Sequence, residues 1–129
     1  MVAGDRRVTP IEEKEKTMED VEIKQTRGPT LRFKGTLLAE EAWDARDGVM
    51  RLELWQTEGG ALIPVTDGPM RGGRDVRAEV VRPIAHPLMA GELDFAAMQD
   101  AVMDFFAWDN RARSMVRKHL KWSLVRDVA

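Results

Sequence analysis

The chain has 129 residues, 43% hydrophobic and 33% charged, with a net charge of -2 at neutral pH. That length allows one domain around one core, and the apolar share is too high for a wholly disordered chain. The near balance of charge gives no whole-chain signature of a polyanion binder, and the absence of cysteine excludes a disulfide framework, a thiolate metal site and a cysteine nucleophile.

The first ten residues, MVAGDRRVTP, lack the apolar run of a secretory signal. No stretch approaches the roughly 20 apolar residues of a membrane helix. The expectation is a cytoplasmic protein with no membrane partner. Arginine outnumbers lysine, 14 to 6, which hints at a GC-rich bacterial genome.

Residues 1–29 carry little that could pack. Glu12 to Lys16 is a mixed charge run, and Val8, Ile11, Met18, Val21 and Ile23 are scattered. The segment reads as a disordered arm or one that orders on a partner. The single domain is expected over 30–129.

From Leu31 the pattern has period two. Leu31, Phe33, Gly35 and Leu37 share one side of a strand, and Arg32, Lys34 and Thr36 the other. An acidic loop, Glu40 to Gly48, is expected next. A second strand follows, with Met50, Leu52 and Leu54 on one face and Arg51, Glu53 and Trp55 on the other. Glu58-Gly59-Gly60 is a hairpin signal. Ala61, Ile63 and Val65 mark the returning strand, where Pro64 predicts an edge or a bend. Asp67 to Asp75 reads as a glycine-rich loop, and Val76, Ala78 and Val80 as a fourth strand.

The period turns helical after Gly91. Phe95, Met98, Val102, Phe105 and Phe106 fall in one apolar stripe. Asp109-Asn110 predicts a break or cap. Met115, Val116, His119 and Leu120 then line the apolar side of a second segment. The fold class is therefore α+β: a roughly four-stranded antiparallel sheet over 30–82, then two helices, or one bent helix, over 92–126 packed on one face. The expected core is Leu31, Phe33, Leu52, Leu54, Phe95, Met98, Val102, Phe105, Met115 and Leu120.

No convergent catalytic set emerges. His86 reads as a turn residue and His119 as a packed histidine, and neither stands in a close-spaced ligand pattern. No cofactor, metal or catalytic residue is assigned. Glu40, Glu41, Asp44 and Asp47 cluster in a loop, and Arg71 and Arg74 accompany the glycines of 68–73. Either group could serve a small enzyme, by acid–base work or by cradling a phosphate. A solvated surface is the plainer reading of both.

Charge layout is the best single feature. Residues 111–127 hold six basic groups and one acid, while residues 30–110 hold eight basic groups and fourteen acids. Arg113, Arg117, Lys118 and Lys121 fall along one helical face. Trp122 borders that face, and Trp55 shares a strand face with Arg51 and Glu53. Tryptophan and arginine dominate binding hot spots, so these six residues are the candidate binding set. The leading expectation is a small non-enzymatic, accessory or regulatory protein that binds another protein or itself. The alternative is a nucleic-acid-binding protein using the basic helix 111–126. An enzyme working through one of the two loops is third.

Overall fold

A computed structural model of the chain describes residues 18–128. Residues 1–17, and with them most of the expected arm, lie outside the described residues.

Five strands form an antiparallel meander. β1 is Glu19–Lys24, β2 Thr30–Ala45, β3 Gly48–Thr57, β4 Leu62–Met70 and β5 Gly73–Ala78, hydrogen-bonded in that order. Two helices follow, α1 at Phe95–Phe105 and α2 at Asn110–Leu120. The α+β class and the strands-then-helices order are as expected. The strand count is five, not four.

The extra strand comes from the expected arm. Val21 and Ile23 of β1 turn inward, opposite Phe33 and Leu31 of β2. The outward residues Asp20, Glu22 and Lys24 are charged, as suits a sheet edge. Six residues with two apolar side chains are too short a run to stand out as a strand. Only pairing with β2 makes them one.

The acidic loop expected at Glu40 to Gly48 is instead strand. β2 runs on to Ala45, and Arg46-Asp47 alone turn the chain into β3. A register shift between Leu37 and Ala39 marks a bulge, which moves the apolar residues from one face of the sheet to the other. Leu37 packs with the inner cluster, whereas Ala39 and Trp43 pack on the helix side. The Gly-rich loop is likewise a tight hairpin. β4 continues to Met70, and Arg71-Gly72 make the turn, with Gly72 at φ +83° where glycine is favoured.

The sheet curls until its edges meet. Thr26, just after β1, donates its backbone N–H to Val76 O of β5 at 2.9 Å. Its Oγ1 accepts from Val76 N at 2.7 Å and donates to Arg74 O at 3.1 Å, while Gln25 Oε1 accepts from Ala78 N at 3.0 Å. Side chains thus complete part of the ladder that β1 and β5 do not form directly.

The curl makes two apolar clusters. Inside it, Ile23, Trp55, Ile63 and Val65 are buried, with Leu31, Phe33 and Val76 against them. Between the outer face and the helices lie Leu52, Leu54, Met98, Val102, Met103, Phe106, Met115 and Val116. Pro64, which the sequence placed at an edge or bend, is fully buried on the penultimate strand.

α1 begins at the Asp94 cap, whose Oδ1 accepts from Ala97 N at 3.0 Å. α2 begins at Asp109, whose Oδ2 accepts from Arg111 N at 2.8 Å, so the expected cap is present. Between the helices Ala107 and Trp108 both adopt positive φ, +55° and +54°, which breaks the helix without glycine or proline. The expected face of α1 is rotated at both ends. Phe95 is 56% exposed, and Phe106 rather than Phe105 is the buried ring. α2 stops at Lys121, in the left-handed region at φ +59°, so 121–128 is irregular rather than helical.

Candidate functional site

α2 positions the basic set. It buries Ala112, Met115 and Val116 against the sheet, which turns Arg117 and Lys118 to solvent and leaves Arg113 half-buried. Lys121 follows at the helix end and is exposed. Arg113, Ser114, Arg117, Lys118 and Asn110 line a shallow groove of about 360 Å³. None of Arg113, Arg117, Lys118 and Lys121 has a carboxylate within ion-pair distance among the described residues. Arg117 and Lys118 lie in the last turn, where cations also complement the helix dipole.

Other basic residues of this region are already engaged. The Arg111 guanidinium stacks over the Trp43 ring at 4.5 Å. Arg126 pairs with Asp100 at 2.5 Å and reaches Ala96 O at 3.4 Å, tying the tail to α1. Asp104 accepts from Trp108 Nε1 at 2.8 Å. The acidic face of α1 therefore holds Arg126 and Trp108, not the α2 cations.

The two tryptophans part company. Trp122 is half-buried, packs against the outer core, and directly follows Lys121. Trp55 leaves the set. It is 8% exposed inside the curled sheet, edge-on to Phe33 at 6.0 Å, with its indole N–H donated to Glu53 Oε1 at 2.9 Å. The curl of the sheet encloses its face, so it has little surface to offer a partner.

The acidic cluster disperses. Alternation along β2 sends Glu40 and Glu41 to opposite faces. Glu40 stands 3.6 Å from Arg51, and Glu41 3.8 Å from the exposed His119. In the Gly68–Gly73 segment Arg74 is committed to structure. Its Nε donates to Asp67 Oδ1 at 2.6 Å and its Nη2 to Val49 O at 2.5 Å. His86 organises a turn, its Nδ1 accepting from Leu88 N at 3.0 Å and Met89 N at 3.2 Å. Among the described residues no group of three or more His, Cys, Asp or Glu side chains could hold a metal ion, and no helix is long and apolar enough to cross a membrane.

Two features were not anticipated from the residues. One is a cleft of about 440 Å³ between the sheet and the α1–α2 corner. Trp43, Met50, Leu52, Phe105 and Phe106 supply its apolar wall, and Thr66, Asp75, Arg77 and Asp109 its polar groups. Those polar groups are mostly spent. Asp75 Oδ2 accepts from Arg27 at 3.1 Å while its buried Oδ1 has no donor. Asp109 caps α2, and the Arg77 guanidinium lies 5.8 Å from the Phe105 ring centre. The other feature is an apolar segment, Ile84 to Phe95, that presents Leu88 and Met89 to solvent. Two large apolar residues between Pro87 and Gly91 were its visible signal. The cleft had none, because its walls come from five separate elements.

No family model matches the chain, no curated protein matches it, and no solved structure matches it.

Proposed function

We propose that this chain is a non-catalytic recognition protein that binds an acidic protein partner through the outer face of α2. The observation that carries the reading is the set of four cations, Arg113, Arg117, Lys118 and Lys121, exposed or half-exposed with no carboxylate partner among the described residues. Cations displayed this way are solvated and available, and complementary charge on a partner speeds and orients docking. Trp122 at the edge of the face adds an aromatic surface of the kind that anchors interfaces.

A protein partner suits the layout better than a nucleic acid. α2 has eleven residues and offers three cations, with Lys121 at its cap as a fourth, that have no carboxylate partner among the described residues. The sheet and α1 carry a strong excess of carboxylates, with fourteen acids against eight basic groups over 30–110. A long polyanion lying along α2 would run on to that acidic surface, whereas a compact acidic patch would not. An enzyme reading has less support, since the polar groups of the cleft are held by caps, ion pairs and ring stacking.

The test is a pull-down from nuclease-treated native lysate with the wild type beside the triple variant Arg113→Glu, Arg117→Glu, Lys121→Glu. An acidic protein retained by the wild type and lost by the variant is the expected result. Retention by the variant would remove α2 from the interface. If instead defined DNA or RNA binds the wild type, with affinity falling steeply as salt rises, and is released by the variant, nucleic acid replaces protein as the partner.

A further inference from the structure

We infer that the acidic group α2 receives is the phosphoryl group of a phosphorylated side chain on the partner protein, seated over Ser114 between Arg113, Arg117 and Lys118, an inference that rests on α2 being the binding face. Helical spacing builds the seat. Ser114 is exposed near the middle of the eleven-residue helix, with Arg117 and Lys118 three and four residues after it and Asn110 four before. Residues at those separations are neighbours on a helix surface. Together with Arg113 they line the shallow groove. Ser114 has the shortest side chain of the five, so the long cationic ones can close over the space above its hydroxyl.

The groove is made of donors. Two guanidinium groups, an ammonium, a hydroxyl and a carboxamide line it, and no carboxylate does. None of the five side chains has a hydrogen-bond or ion-pair partner among the described residues. α2 contains no acid, and Asp109, just before it, is occupied in accepting from Arg111 N at 2.8 Å. The cations therefore face one another without relief. Arg113 and Arg117 are four residues apart, as are Arg117 and Lys121, and like charges at that spacing destabilise a helix. An anion placed among them removes that repulsion as well as gaining their attraction.

Charge and valence favour a phosphoryl group over a carboxylate. A side-chain carboxylate brings one negative charge and two oxygens. A phosphomonoester brings about −1.5 to −2 at pH 7 and three acceptor oxygens. That suits two arginine forks, each able to bind bidentately, together with a lysine point charge and a hydroxyl. The source is a protein rather than a nucleic-acid strand. A strand would lay its next phosphates on the carboxylate-rich sheet and α1, with fourteen acids over 30–110, whereas a phosphorylated side chain ends in a single group.

The experiment is calorimetric titration of the full chain with three short peptides that differ only around one position. One has a central phosphoserine, one a central Ser, and one a central Glu with a further Glu to match the charge of the phosphopeptide. The phosphoserine peptide is expected to bind at least about tenfold more tightly than the charge-matched Glu peptide, and the Ser peptide most weakly. Arg117→Gln with Lys118→Gln, at two exposed positions, should abolish that preference, and its thermal transition reports that it folds. Equal affinity for the two charged peptides would overturn the inference and leave α2 a face for acidic partners in general. A preference that survives the double variant would put the phosphoryl group elsewhere and overturn it too. So would tighter binding of a single-stranded DNA oligonucleotide of the same charge, which makes nucleic acid the source. Failure of all three peptides to bind also overturns it. The acidic-partner reading is then judged separately, by whether the wild type retains an acidic protein from lysate that the triple charge reversal loses.

Discussion

Several single residues carry more of the architecture than their types suggest. Ala107 and Trp108 adopt consecutive left-handed conformations where glycine would be the unstrained choice. Replacing Ala107 with Gly should raise stability by about 1 kcal/mol, read as an upward shift of the thermal midpoint; a fall in midpoint would show that the positive φ there carries no strain. Thr26 is the reverse case, an exposed residue that the fold depends on. Its hydroxyl both accepts from Val76 N and donates to Arg74 O. Thr26→Val keeps the shape and removes both bonds. It should cost about 1–2 kcal/mol in denaturant titration, and amide exchange at Val76 should accelerate. Unchanged protection at Val76 would mean the edges are closed by other means. Gly35 has a plain steric reason, since a Cβ there would stand 2.6 Å from the Gln56 carbonyl oxygen.

Among the elements, α1 shows how a periodic stripe can be right in its centre and wrong at its ends. Met98 and Val102 are fully buried, as the spacing predicts. Phe95, the first residue of the helix, is 56% exposed, and Phe105 faces the cleft with Arg77 at its ring. Met98→Ala should therefore cost about 2–5 kcal/mol, while Phe95→Ala should stay within about 0.5 kcal/mol. Equal losses at the two positions would put the helix on a different face. α2 shows the other side of amphipathicity. The same three buried residues that fix it to the sheet fix where its cations point, and so its apolar pattern determines its charge display.

For the molecule as a whole, charge is distributed by element. The curled sheet and α1 are acidic, and the outer face of α2 is basic within a chain of net charge -2. Such a dipolar surface steers an acidic partner to one side and away from the other. Binding through α2 should weaken as salt is raised from 50 to 500 mM, because exposed charges are screened within about 10 Å at 0.1 M. An affinity flat across that range would point to Trp122 and apolar contact instead of the four cations.

Much of this was legible in the residues themselves. Period-two alternation located the cores of β2, β3 and β4, the Asp109 cap and the helical stripe located α1 and α2, and helical spacing placed Arg113 and Arg117 one turn apart on α2. Those signals are local, set by backbone periodicity and by side-chain hydrogen bonds to nearby amides. The remainder is non-local. β1 is a strand because β2 supplies its hydrogen bonds. The acids of Glu40 to Asp47 read as a loop in the sequence and stand on a hairpin, since a bulge and a partner strand extend β2 past the point where its alternation ends. Trp55 turns inward because the sheet curls, and curl depends on how the edges meet at Thr26. Whether a cation is free also depends on which carboxylates the fold brings near it. Sequence alone determined the α+β class, the cores of four of the five strands and of both helices, and the charge those segments carry. Tertiary structure decided which faces are hidden, which charges are paired, and where the apolar cleft opens, because each of these depends on contacts between residues far apart in the chain.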